Sequence, residues 1–173
     1  NEAPIPNHLD RQFDAKNPLE AIVTDLTYVR VKNRWAYVCF IIDLYNREII
    51  GLSVGWHKTA ELVKQAIQSI PYALTKVNLF HSDRGKEFDN QLIDEMLEAF
   101  DITRSLSQAG CPYDNAVAES TYRAFKIEFI NQESFRTLEE LAAKTRDYVH
   151  WWNYHRIHGS LNYQTPMAIR LIA

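Results

Sequence analysis

With 173 residues, 46% of them apolar and 12% aromatic, the chain has enough hydrophobic mass to fill the core of one domain. Lys and Arg number 19 against 22 Asp and Glu, and the formal charge of −3 excludes an autonomous, non-specific DNA binder, so nucleic-acid contact would need a local basic patch. Cys39 and Cys111 cannot make a zinc site by themselves, and a chain with no signal-like leader or long apolar run points to a reducing, cytoplasmic setting with no membrane partner.

Residues 1–18 contain Pro4, Pro6 and Pro18 and read as an extended N-terminal arm, and a start at Asn1 rather than Met reads as a piece of a longer protein. Residues 19–173 read as one core with a C-terminal helical extension. The run AIVTDLTYVRV at 21–31 is rich in β-branched residues and predicts a first strand. KNR at 32–34 turns the chain into WAYVCFIIDLY at 35–45, and Asn46 and Arg47 turn it again into EIIGLSVGW at 48–56, a three-stranded antiparallel meander. These strands are almost continuously apolar, which predicts burial on both faces. Leu62, Val63, Ala66, Ile67 and Ile70 then recur at helical spacing after Thr59, a candidate N-cap.

KVNLFHSD at 76–83 predicts a fourth strand ending at Asp83. Asp89 is the candidate cap of a helix presenting Leu92, Ile93, Met96, Leu97 and Phe100, and ITRSL at 102–106 predicts a fifth strand. Three antiparallel strands followed by helix, strand, helix, strand call for parallel pairing through right-handed crossovers. That order predicts an α/β, ribonuclease H-like fold: a five-stranded mixed sheet with helices on both faces plus C-terminal helices. After SQAGCP comes a helix beginning near Asp114, with Ala118, Tyr122, Phe125 and Phe129 on its core side. Thr137 and Glu140 form a candidate capping box for a last long helix that buries Leu141, Thr145, Tyr148, Val149 and Trp152.

Three acids stand at the edges of these elements: Asp25 inside the first strand, Asp83 at the end of the fourth, and Glu119 in the first turns of the helix after the fifth, with thirty-five residues between it and Asp83. In this topology the first strand lies beside the fourth, and the helix carrying Glu119 can cross to both. Taken singly, Asp83 is an ordinary turn residue and Glu119 an ordinary exposed helix residue, whereas an acid such as Asp25 in an apolar strand is costly to bury without a partner. Crowded carboxylates raise one another's pKa unless a cation neutralises them, and an all-oxygen set suits Mg²⁺ or Mn²⁺. Such a cluster accommodates two ions that activate an attacking oxygen and stabilise a leaving oxygen at phosphorus. His150, His155 and His158 lie among aromatics without a complete zinc ligand set and are expected to pack.

The segments VTDLTYV around Asp25, HSDRGKEF around Asp83, GCPYDNAVAES with Lys126 beyond it, and WWNYHRIHGSLNYQTPMAI near the end resemble bacterial insertion-sequence transposases with a retroviral-integrase-like catalytic core. The resemblance runs from about Arg11 to Ile169, and the spacing between the second and third acids is itself a hallmark of that family. It implies metal ligation by Asp25, Asp83 and Glu119, two Mg²⁺ or Mn²⁺ ions in the active complex, phosphodiester hydrolysis at element ends and strand transfer into target DNA. It implies no covalent protein intermediate, so Tyr122 and Cys111 are expected to pack. It also implies DNA as partner, a multimer on DNA, a bacterial cytoplasmic setting, and an upstream helix-turn-helix region outside this sequence. Lys126, Arg123, Arg84 and Lys86 are candidate phosphate contacts, Lys126 by the resemblance and by sharing a helix face with Glu119, and Asn115 and Tyr113 candidate base or sugar contacts. Lys86 and Glu87 depart from the Ser-Gln usual after the HSDRG glycine, and Glu87 is placed to sit close to the acids. Two other readings stay open: a ribonuclease H-like nuclease without joining activity, and a catalytically silent DNA-binding or assembly module.

Overall fold

The computed structural model describes residues 4–110 and 115–173; Cys111, Tyr113 and Asp114, all named above, lie outside them. Strands β1 (Ala21–Val31), β2 (Arg34–Asp43), β3 (Ile49–Gly55), β4 (Leu79–Ser82) and β5 (Thr103–Leu106) form one sheet in the order β3-β2-β1-β4-β5. The first three are antiparallel, and β4 and β5 join in parallel, which is the ribonuclease H-like arrangement the element order predicted. Helices α1 (Ala60–Gln68), α2 (Gln91–Ala99), α3 (Ala116–Glu128), α4 (Leu138–Tyr154) and α5 (Pro166–Leu171) complete it.

Alternation along the strands divides the core in two. Val23, Val29, Val38, Phe40 and Ile42 point to one face and pack with Ala118, Tyr122 and Phe125 of α3 and with Leu141, Tyr148 and Trp152 of α4. Ile22, Cys39, Ile41 and Phe80 point to the other, against Leu62, Val63, Ala66 and Ile67 of α1 and Ile93 and Leu97 of α2. Near-continuous apolar character in β1 and β2 is thus the record of a sheet covered on both sides.

Local departures have local causes. Residues 74–76 form a 3-10 turn, so β4 starts at Leu79 rather than Lys76. Helix α2 is capped by Asn90, whose side chain accepts from Ile93 N, because the expected cap Asp89 pairs with Arg104 instead. Thr137 caps α4 through Glu140 N as expected, but the Glu140 carboxylate accepts from Arg136 N, so only half of the capping box forms. Val149 is half-buried. Asn153 takes an inner position instead, its amide bonded to both the N–H and the carbonyl of Ile49 at the edge strand β3. The described residues of the N-terminal arm, 4–18, form no helix or strand yet dock along β5: Leu106 N donates to Pro6 O, Leu9 N donates to Ser105 Oγ, and Leu9 is buried.

Helix α5 closes the fold through charge. Arg170 pairs with Asp43 and Glu48, both of them buried; Asn46 shares Glu48 Oε1 with Arg170, and Tyr72 donates to Oε2. Burial raises the Asp43 carboxyl, opposed by amides of Tyr45 and Leu19 and by Arg170. Removing one partner from such a cluster strands a buried charge, at a cost of about 3–5 kcal/mol. Arg170→Ala is therefore expected to lower unfolding free energy by roughly that amount; urea titration showing a change below about 1 kcal/mol would mean the latch is solvated.

Candidate active site

Strand register sets two of the three acids at one level. The β1–β4 ladder pairs Ala21 with Leu79, Ile22 with Phe80 and Val23 with His81, and the same offset carried two residues further sets Asp25 against Asp83. Both then face the side of Val23 and Leu79, which α3 and α4 cover. The β4–β5 register in turn carries Ser107 to the level of Asp83. His81, fully buried, ties the two strands together with Nδ1 on Ser105 Oγ at 2.7 Å and Nε2 on Ser107 Oγ at 3.0 Å.

Helix α3 delivers the third acid. The ladder to β4 stops at Val23, so beyond it β1 has an open edge where the start of α3 fastens, and a second anchor of the helix sits over the β1–β2 seam. Asn115 Nδ2 donates to Thr24 O at 2.9 Å, and the Tyr122 hydroxyl accepts from Phe40 N while donating to Asp25 O. The Tyr122 ring stacks on Phe40 with centroids 5.1 Å apart. Glu119, between these two anchors, joins Asp25 and Asp83 in lining a cleft of about 280 Å³, with Arg84, Ser107, Gln108 and Asn115 around them.

The cleft concentrates negative charge. Burial pushes the Asp25 carboxyl from 3.8 up to about 7, helped by Asp83, Glu119 and Glu87 and opposed by the amide of Leu26. Glu87 is 8% exposed, within 3.5 Å of Lys58 Nζ, and its carboxylate lies over Gly85, where a Cβ would fall 2.4 Å from Oε1. Gly85 thus makes room for a fourth acid beside the trio. Each aspartate turns to a backbone amide, Asp25 Oδ1 accepting from Leu26 N at 2.8 Å and Asp83 Oδ1 from Gly85 N at 2.7 Å. Among the described residues no three His, Cys, Asp or Glu side chains are already drawn into a ligand set. The trio shares a cleft and a field without closing on a point, as mutually repelling carboxylates do. The donors nevertheless fit a hard cation: all are oxygens, and Asn115 in the same cleft keeps a buried Oδ1 with no hydrogen-bond partner.

The remaining candidates separate. Lys126 and Arg123 line a second recess together with Asp25 and Glu119, and Lys126 Nζ lies 4.8 Å from the Tyr28 ring centroid. Arg84 is exposed at the cleft, but its guanidinium already bonds Ser107 O and Ile5 O, tying the β5 loop and the arm to the end of β4. Lys86 is exposed and outside the cleft lining. Asn115, at 3% exposure, spends its Nδ2 on Thr24 O and so clamps the start of α3, while it also lines the cleft. His150 stacks on Tyr154 and His158 packs edge-on against Trp152, so both are packing residues. Lys58, His81 and Ser107 escaped the sequence reading, although the serines at alternate positions of β5 were a legible sign of a polar strip facing His81.

An integrase core domain model matches residues 15–112, more than half of the chain, and a second integrase core domain model matches 100–166. The chain belongs to the integrase core domain family. Among relatives, the transposase InsF for insertion sequence IS3A of Escherichia coli K12 is 31% identical over 162 residues, covering 90% of this chain and 56% of InsF. A probable transposase for IS1353 of Shigella flexneri is 31% identical over 170 residues, covering 96% of this chain and 33% of that protein. This integrase core therefore spans about half the length of InsF and a third of the IS1353 protein. In fold it is similar to the HTLV-2 integrase catalytic core domain solved in complex with magnesium, with a TM-score of 0.63 at 16% identity over 88% of this chain and 96% of that one. It is also similar to a chain of the simian T-cell lymphotropic virus intasome, with a TM-score of 0.71 at 14% identity over 88% and 54%.

A carboxyl raised from 3.8 to about 7 binds a proton in the folded state that the unfolded chain has released, so folding stability falls as pH rises through that window. In metal-free buffer the integrase core is expected to lose on the order of 3 kcal/mol between pH 4 and pH 8 from this group. Asp25→Asn flattens that slope; urea titrations at pH 5 and pH 8 showing the same slope in both proteins would show that Asp25 is solvated and ionised throughout.

Proposed function

We propose that this chain is the catalytic core of a DNA transposase, a polynucleotidyl transferase of the DDE type that uses two divalent metal ions, hydrolyses a phosphodiester at an element end and joins the freed 3′-hydroxyl to target DNA. The observation that carries this is the convergence of Asp25, Asp83 and Glu119 on one cleft by strand register and helix docking, in a chain of the integrase core family. The names of the transposase relatives and the magnesium complex of a fold neighbour support the same reading.

Two magnesium ions, when bound between these carboxylates, would supply activation of the attacking oxygen and charge stabilisation at the leaving oxygen. The protein's own contribution is placement. Asp25 enters from a partly protonated state near neutral pH, so cation binding is coupled to proton release from its carboxyl. Asp83, on the short turn after β4, is oriented by Gly85 N, and Glu119 is fixed by the two anchors of α3. The Tyr122 hydroxyl is buried, its pKa pushed up, and committed to the β1 and β2 backbones, so it is no nucleophile and hydrolysis and joining proceed by direct displacement. Lys126 and Arg123, beside Asp25 and Glu119, would hold the phosphates of the strand being cut. Two DNA ends handled together call for a multimer on DNA, and reading of the ends falls to segments outside this core, consistent with its charge of −3. The work is done in the bacterial cytoplasm; no helix of the described residues is long and apolar enough to cross a membrane.

Asp83→Asn is expected to lower magnesium-dependent nicking of duplex DNA by at least about 10³-fold while leaving the far-ultraviolet circular dichroism unchanged. It should also abolish the rise in melting temperature that magnesium gives the wild type at pH 8. Undiminished nicking by the variant would refute the site. Nicking without joining of a pre-cut 3′ end would reduce the reading to a nuclease.

A further inference from the structure

Outside the cleft, two exposed aromatic side chains stand on the β1–β2 hairpin. Tyr28 is 56% exposed and Trp35 48% exposed, in strands whose other large side chains are mostly buried. Their rings meet edge to face with centroids 5.1 Å apart. Each carries a cation: Lys126 Nζ lies 4.8 Å from the Tyr28 centroid, and the Arg30 guanidinium 5.0 Å from that of Trp35. Residues 26–42 hold Arg30, Lys32 and Arg34 and no acidic side chain, although the chain as a whole is net negative.

The position of this strip matters as much as its composition. Arg30 is the cross-strand partner of Trp35, so Tyr28, Arg30 and Trp35 rise from one face of the hairpin. Lys126 belongs to α3 on the opposite face of the sheet, and it reaches Tyr28 because β1 has no neighbour on that side beyond Val23. Lys126 also lines the recess that contains Asp25 and Glu119. At about 3.3 Å per residue, Tyr28 stands roughly 10 Å along β1 from Asp25 and Arg30 roughly 17 Å. A strand leaving the carboxylate cleft over Lys126 would therefore pass onto the rings within a few nucleotides.

We propose that Tyr28 and Trp35, with Arg30 and Lys126, form a stacking platform for unpaired bases of a DNA end lying next to the carboxylate cleft. Cations take the phosphates and the rings take the bases, the combination that binds single strands without reading sequence. Bases inside a duplex have their faces covered by neighbours, so the platform favours ends that are frayed or tailed. Charge singles out nucleic acid: a second copy docked face to face would set Arg30 and Lys126 against their own equivalents, whereas a nucleic-acid strand brings phosphates to them. The inference rests on the proposed DNA-processing role of the cleft, but its test reads binding rather than cleavage.

The experiment compares binding of the whole chain to a blunt duplex and to the same duplex with a five-nucleotide unpaired thymidine tail, followed by Trp fluorescence quenching and anisotropy in chelator. The wild type is expected to bind the tailed end about tenfold more tightly, and Tyr28→Ala with Trp35→Ala to erase that preference. Tyr28→Phe with Trp35→Phe, which keeps the rings, should restore most of it. Equal affinity of the wild type for both ends overturns the proposal. So does an equal loss on both ends in the alanine variant, or sedimentation showing that the variant instead breaks a multimer formed without DNA. Loss of tail preference in a variant that still nicks would leave the proposed function standing on its own, whereas a wild type that prefers tails but never nicks would overturn that function and leave the platform.

Discussion

A parallel ladder of three residue pairs fixes the geometry of the whole site. Because β1 and β4 pair only from Ala21–Leu79 to Val23–His81, Asp25 and Asp83 emerge at one level immediately past the last paired residues. A slip of one residue would turn either acid to the opposite face of the sheet, away from α3. The end of the ladder also frees the edge of β1, where Asn115 ties the start of α3 to Thr24 O, while Tyr122 holds the helix over the β1–β2 seam. Placement of the two aspartates and docking of the start of α3 are therefore two results of one interruption in hydrogen bonding. The ladder holds because Ile22 and Phe80 are buried on one face while Val23 and Leu79 pack on the other.

Around that frame the energetics pull in opposite directions. Apolar layers on both faces stabilise the sheet, and at its open end the same low polarity makes ionised Asp25 expensive. Glu87 worsens the repulsion from behind Gly85, relieved in part by Lys58. The Arg170 latch shows the alternative solution to the same problem. There, Asp43 and Glu48 receive a permanent cation from α5, and the cluster is closed by Tyr72 and Asn46. In the cleft the guanidinium of Arg84 is spent on carbonyls instead of pairing, among the described residues, with the acids. A cluster neutralised by its own side chains holds a fold together, whereas one left under-neutralised keeps affinity for an external cation.

Legibility in the sequence followed the range of the interactions involved. Strand β1 was readable to the residue because β-branched content and its turn at 32–34 are local properties, and the sheet order followed from the rule governing crossovers. Asp25 stood out as an acid in an apolar strand. The α2 cap was misplaced by one residue because Asp89 and Asn90 are equally good caps locally, and a distant ion pair to Arg104 decided between them. Asn115 looked like a loop contact because nothing local announces a hydrogen bond to Thr24, ninety-one residues away. The same holds for Lys58 and Glu87, and for the Arg170 latch, whose partners lie more than a hundred residues apart in the chain. Long-range polar pairing leaves no periodic trace; apolar burial does.

The charge of −3 is misleading as an average, because its signs are segregated in space. Asp25, Asp83 and Glu119 line the cleft, with the charge of buried Glu87 felt at Asp25, while Lys126 and Arg123 line the adjoining recess and the β1–β2 hairpin carries Arg30, Lys32 and Arg34 with no acid over 26–42. A polyanion approaching the bare cleft meets repulsion at the centre and attraction at the flank. In the proposed function it would be held at the flank before the centre is neutralised, and would gain the centre together with divalent cations. Screening acts on the two parts differently, since exposed flank charges weaken within a Debye length of about 8 Å at physiological salt while the half-buried acids are shielded far less. Under the proposed function, added monovalent salt would loosen the hold on DNA more than it relaxes the carboxylates' demand for a cation, and that asymmetry would make metal occupancy, rather than DNA contact, the condition for the acids to meet a phosphate.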